Sequence, residues 1–184
     1  RTQFEKVTYV SNITDIDDKI IDAAHELNEP IKNLTTKYTK IYNDDMGYLN
    51  VKLPDIQPHA TDHISEMIDL IKKLIENNYA YEKDGHVLFH VPSFSKYGVL
   101  SKRNRDEQIA GSRVEVAPFK KDPADFILWK PSPDPLPGWE SPWGFGRPGW
   151  HLECSAMSEK TLGLPFDIHS GGMDLVFPHH ENEI

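Results

Sequence analysis

Six prolines stand between positions 131 and 148: Pro131, Pro133, Pro135, Pro137, Pro142 and Pro148. Proline has no amide donor, and its ring fixes φ, so neither a helix nor an inner strand tolerates such a run. The stretch is expected to lack regular structure, and the fold must carry the chain irregularly across it. On its near side, Phe126, Ile127, Leu128 and Trp129 form a short, fully apolar run suited to a buried strand. On its far side, residues 150–158 read as a helix.

Upstream, residues 7–10 read as a short strand, being β-branched and aromatic. Asn12, Ile13, Thr14 and Asp15 then turn the chain into a helix over 17–27, whose acidic residues suit its positive end. A second helix is expected over 32–46, with a break at Pro54 and Pro58. Thr61 or Asp62 is expected to cap the next helix. There Ile64, Met67, Ile68, Ile71, Leu74 and Ile75 share one 3.6-residue face. Residues 79–81 and 86–91 flank Asp84-Gly85, which signals a hairpin. Residues 92–125 are polar and read as irregular, while 166–169 read as a strand. Gly171-Gly172 is expected to form a tight loop, and Pro178 suits the first turn of a last helix. Strands alternating with helices favour an α/β fold.

A chain of 184 residues with 38% hydrophobic content can bury a sizeable core. No apolar run approaches the roughly 20 residues of a membrane span, so no membrane partner is expected. A net charge of −9 argues against a broadly basic nucleic-acid surface, though not against a local basic strip. One cysteine cannot build an internal disulfide framework, which points to a reducing cytoplasm. The sequons at Asn12 and Asn33 are then chance matches.

That cysteine, Cys154, ends the phrase Trp150-His151-Leu152-Glu153-Cys154. Downstream comes Phe177-Pro178-His179-His180-Glu181-Asn182-Glu183. His179 and Glu183 are four apart and share a helix face. Thiolate, imidazole and carboxylate are the ligand types that zinc takes from proteins, and three of them leave room for a substrate. The plainer readings are a structural zinc or a buried cysteine; the His-x-x-x-Glu context favours a metal. His180 and Glu181 project about 100° and 200° away from His179, so they are expected to support the site or cap the helix. His151 precedes Cys154 by three residues and is a ligand only in principle.

Asp15, Asp17 and Asp18 fail the calcium-loop pattern, since Ile20 stands where glycine is required, and read as a charged helix start. Gly171-Gly172-Met173-Asp174 permits close backbone approach to a ligand, with a carboxylate for a ribose hydroxyl; alone it is a weak signal. Thr14 reads equally as a helix N-cap.

Several phrases together closely resemble the cysteinyl-tRNA synthetase family. They are Asn12-Ile13-Thr14-Asp15-Ile16-Asp17-Asp18-Lys19-Ile20, Arg113-Val114-Glu115-Val116 and Trp139-Glu140-Ser141-Pro142-Trp143-Gly144. With them come Gly149 through Met157, His169 through Leu175, and Phe177 through Ile184. The resemblance covers nearly the whole chain. It implies a Rossmann-type class I synthetase catalytic domain, with a parallel sheet and flanking helices, interrupted by a connective insert. Residues 1–50 would be its first part, 51–125 a helix plus the insert with its hairpin, and 126–184 its second part with the zinc site.

The implied reaction has two steps. L-cysteine and ATP, with Mg2+, give cysteinyl-adenylate, and the aminoacyl group then passes to tRNA(Cys). The implied zinc ligands are Cys154, His179, Glu183 and a further cysteine that this sequence lacks. Zinc would select the substrate thiolate, which serine's hydroxyl poorly imitates. Thr14, Trp150 and His169 would contact the amino acid, and Gly171, Gly172 and Asp174 the adenosine, with no catalytic residue assigned. Trp150 as ordinary core is nearly as good a reading.

Both ATP-handling signatures of the family and its anticodon-binding region are absent, which implies an interior piece of a monomeric, cytoplasmic enzyme. Most tRNA contacts would then lie elsewhere. Lys102, Arg103, Arg105 and Arg113 are candidates for the acceptor end, with a solvated loop as the plainer reading. Two alternatives stand beside this: an ATP-dependent cysteine:amino-sugar ligase of the mycothiol pathway, and an inactive zinc-binding fragment. Glu181-Asn182-Glu183 and the run 17–21 favour the synthetase over the first.

Overall fold

The computed structural model describes residues 3–111 and 118–184. Arg113 and the phrase around it lie outside those residues.

Three helices open the fold: α1 (Asp18–Glu26), α2 (Ile31–Tyr48) and α3 (Ile64–Glu76). Asp17 caps α1, its carboxylate accepting from Lys19 N at 2.9 Å. The N-cap role considered for Thr14 therefore belongs to Asp17. Neither Thr61 nor Asp62 caps α3, because a 3₁₀ turn, Ala60–His63, intervenes. Thr61 serves the buried carboxylate of Asp15 instead, donating from N at 2.9 Å and from Oγ1 at 2.7 Å. This ties the 12–17 loop to the entry of α3. Thr61→Val deletes one hydrogen bond to a charged group and is expected to lower unfolding free energy by about 1.5–3 kcal/mol in urea titration.

The hairpin forms as expected. Strands β1 (Ala80–Lys83) and β2 (His86–Phe89) join through Asp84 (φ 53°) and Gly85 (φ 75°). Two left-handed residues make the tight turn whose twist matches a hairpin. Next comes α4 (Arg105–Gly111), a short helix inside the region expected to be irregular. Strands β3 (Phe126–Pro131) and β4 (Gly146–Pro148) complete one sheet in the order β1-β2-β3-β4.

Every pair in that sheet is antiparallel, which corrects the expected parallel sheet. Parallel neighbours need a crossover of a dozen or more residues, usually a helix. Here the strands are sequence neighbours, joined in the order β1-β2-β3-β4. Parallel pairing among the described residues is confined to two isolated bridges, Val10 with Ile56 and Ile13 with His59. The strand expected over 7–10 is thus reduced to one bridge. Residues 166–169 form no strand either: Ile168 is 78% exposed, and no strand pairs with the segment. The hairpin, expected to belong to an insert over 51–125, shares its sheet with β3.

The proline-rich stretch is irregular only in its middle. Pro131 pairs with Gly146, and Pro148 with Trp129. Both prolines end their strands, and β4 is an edge, where a missing donor is tolerated. The core lies between the sheet and two helices, α3 and α5 (Leu152–Leu162). Trp129, Met67, Ile71 and Val87 are fully buried there. The face of α3 matches its sequence pattern, with Ile64, Met67 and Ile71 buried and Ile68, Leu74 and Ile75 packed at the margin. A short terminal helix, α6 (Glu181–Glu183), follows an irregular passage.

Candidate metal centre

Two segments carry the chemistry. The first runs from β4 into α5. Gly149 donates to Leu128 O at 2.9 Å, and His151 then adopts φ 93° and ψ −42° just before the helix. Cys154 sits in the first turn of α5. The second segment ends the chain: Phe177 is extended (φ −136°, ψ 131°), and helical backbone resumes at Pro178. That restart puts His179 and Glu183 one turn apart, as their spacing required.

The ligand atoms of Cys154, His179 and Glu183 all lie within 4.8 Å of one another. His179 Nε2 is 3.3 Å from Glu183 Oε1, and that buried oxygen accepts no hydrogen bond among the described residues. Asn12 Nδ2 lies 3.5 Å from Cys154 Sγ, which brings the 12–15 loop to the same point. Burial pushes the Cys154 thiol far up, and the carboxylates of Glu153 and Glu183 add to this. Burial lowers His179, helped by His180 and His169 and opposed by Glu183. The set is therefore a neutral imidazole and a protonated thiol beside the Glu183 side chain, whose Oε1 has no hydrogen-bond partner among the described residues. A cation fits it by donor chemistry, and it would release the thiol proton on binding.

The other expected residues divide. His169 joins the cluster, its Nε2 2.7 Å from Glu183 Oε2. Trp150 is 37% exposed and stacks on His179 at 4.9 Å with a 15° tilt, so it is no ordinary core residue. Thr14 is half-buried, two residues from Asn12. Gly171 and Gly172 lie exposed in a loop, with no strand before it, that leads into a 3₁₀ turn, Met173–Leu175, which carries the exposed Asp174. A methyl on Gly171 would overlap the His180 ring, so this glycine allows that ring to pack close. A groove of about 630 Å³ runs beside the cluster, apolar along Leu74, Phe89 and Phe126, with Cys154 and Glu183 at its edge.

His180 and Glu181 lie against the cluster, through contacts the sequence did not reveal. His180 meets His169 edge-on at 5.3 Å, and with His169 and Glu183 it forms a second group of close donors that shares Glu183. Glu181 caps no helix; it accepts from Gly98 N and Ser101 N, both at 2.7 Å, and holds that loop against the site. Arg103 stacks over Phe177 at 4.6 Å, and Arg105 pairs with Asp122, so both have partners within the chain. Glu153, on α5 beside Cys154, is 3% exposed with its Oε2 unpartnered among the described residues. Its place beside a ligand was visible in the sequence; its burial was not.

Residues 1–184 match the family model described as tRNA synthetases class I (C) catalytic domain. The chain belongs to the class I (C) tRNA synthetase catalytic domain family. Among curated relatives, the cysteine--tRNA ligase of Maricaulis maris is 63% identical over 180 residues, 98% of this chain and 39% of that protein. Those of Paramagnetospirillum magneticum and Parvibaculum lavamentivorans are 60% and 61% identical over 184 residues, all of this chain and 40% and 39% of theirs. The chain thus spans about two fifths of the length of these synthetases. No helix among its described residues is long and apolar enough to cross a membrane.

Proposed function

We propose that this chain is the amino-acid-selecting part of a cysteine--tRNA ligase, which joins L-cysteine to tRNA(Cys) at the expense of ATP, with Mg2+ accompanying the nucleotide. The observation that carries this reading is the convergence of Cys154, His179 and Glu183 in a member of this synthetase family. Cys154, His179 and Glu183 are the residues that would hold zinc. A bound zinc would supply a soft Lewis acid that favours a thiolate over serine's hydroxyl.

The chain's own residues do the rest. Trp150 covers His179 with its ring and walls the amino-acid side of the site, and His169 steadies Glu183 from the groove. Asn12 holds the loop that carries Thr14 against Cys154, which supports Thr14 as a substrate contact. Gly171 and Gly172 lie exposed beside Asp174 as the candidate contacts to a nucleoside, and the exposed carboxylate of Asp174 is the candidate acceptor for ribose hydroxyls. The relatives named above are tRNA ligases, which gives the amino-sugar ligase alternative no support.

The test is ATP–pyrophosphate exchange and tRNA charging by the intact protein. Exchange is expected with cysteine and not with serine, followed by charging of tRNA(Cys). Exchange without charging would overturn the ligase reading. Cys154→Ser is expected to lose zinc; a variant that kept its full zinc content and still rejected serine would overturn the zinc assignment.

A further inference from the structure

His151 touches the candidate ligand histidine on the side away from Glu183. Its Nδ1 lies 2.6 Å from Nδ1 of His179, and both rings are buried. Two ring nitrogens that close must share a proton, because facing lone pairs repel. A neutral imidazole carries one N–H and one acceptor nitrogen. Nε2 of His179 faces Glu183 Oε1 at 3.3 Å, toward the cluster, and a metal needs that nitrogen unprotonated. The His179 proton then belongs on Nδ1, where His151 Nδ1 is the close acceptor.

The backbone shows that this contact is built. His151 has φ 93°, a region that costs a non-glycine residue about 1–3 kcal/mol. What holds the ring there is packing. Trp150 stacks on it at 4.4 Å, and Phe126 meets it edge-on at 6.2 Å.

We propose that His151 is a positioning residue: it accepts the Nδ1 proton of His179 and so fixes the tautomer whose Nε2 is open to a metal. This rests on the zinc reading above. An imidazole acceptor here replaces the carboxylate or carbonyl that commonly orients a ligand histidine.

Imidazole proton–nitrogen correlation spectra of the intact, metal-free protein locate the His179 proton directly. The expected result is Nδ1–H in the wild type. In His151→Gly, which suits the positive φ, the proton moves largely to Nε2, and zinc affinity by chelator competition falls about 10–100-fold. His151→Asn offers a carbonyl acceptor and tolerates left-handed backbone, so it is expected to restore most of both. A wild-type His179 protonated on Nε2 overturns the proposal without any variant. So does a His151→Gly protein with an unchanged tautomer and unchanged zinc affinity. A wild type that takes up no zinc would sink the zinc reading alone, since the tautomer is read without metal.

Discussion

Without metal, and at pH 9, Glu153→Gln is expected to be more stable than the wild-type chain by about 4–5 kcal/mol. Glu153 is 3% exposed, and its Oε2 accepts no hydrogen bond among the described residues. Burial pushes its carboxyl up from 4.5 to about 8, and the neighbouring carboxylates of Asp17 and Glu183 push the same way. The folded chain therefore keeps this proton after the unfolded chain has lost it. As pH rises through 4.5 the unfolded state gains by ionising; the folded state follows only near 8. Wild-type stability should fall by about 1.4 kcal/mol per pH unit across that window from this group alone. Glutamine keeps the shape and cannot ionise, so the difference between the two proteins isolates the effect. Urea titrations from pH 4 to 9 should show the two alike at pH 4 and diverging steadily toward pH 8. A difference that stays flat over that range would mean Glu153 is solvated or partnered in solution.

Glu153 also shows where sequence reading ends. A carboxylate beside Cys154 invites a ligand role, yet consecutive residues on a helix point about 100° apart. Cys154 turns to His179 and Glu183, and its neighbour turns into the protein. Local patterns read well: the α3 face, the Asp84-Gly85 turn and the His179/Glu183 spacing depend only on periodicity and turn chemistry. What depends on partners did not read. Val7 to Val10 and Phe166 to His169 have strand composition, but a strand exists only where another lies beside it. Sheet direction likewise follows from connections, and a run such as Phe126 to Trp129 fits either direction. His151 was legible as a residue near a ligand, but not as the partner of His179, because nothing in its identity predicts a φ of 93°.

Gly149→Ala is expected to cost more than about 4 kcal/mol, and to cost zinc affinity with it. Glycine within a strand region often marks a close backbone approach. Here the approach is to β3: a methyl on Gly149 would overlap the carbonyl oxygen of Ile127 and lie 2.8 Å from its carbon. Both are main-chain atoms of a strand paired on both sides, so neither can swing away as a side chain would. Relief requires the end of β4 to lift, which breaks the 2.9 Å bond from Gly149 N to Leu128 O. The next two residues are Trp150 and His151, whose rings pack on His179. The strain therefore passes from a strand edge to the metal-facing imidazole within two residues. Gly163→Ala supplies the contrast. Gly163 closes α5 at φ 74° with nothing within 4 Å of an added methyl, so only backbone strain applies. That variant should lose about 1–2 kcal/mol and keep its zinc affinity. If Gly149→Ala were as mild as Gly163→Ala in both denaturant titration and chelator competition, the close approach of β4 to β3 would not be what holds Trp150 and His151 over the site.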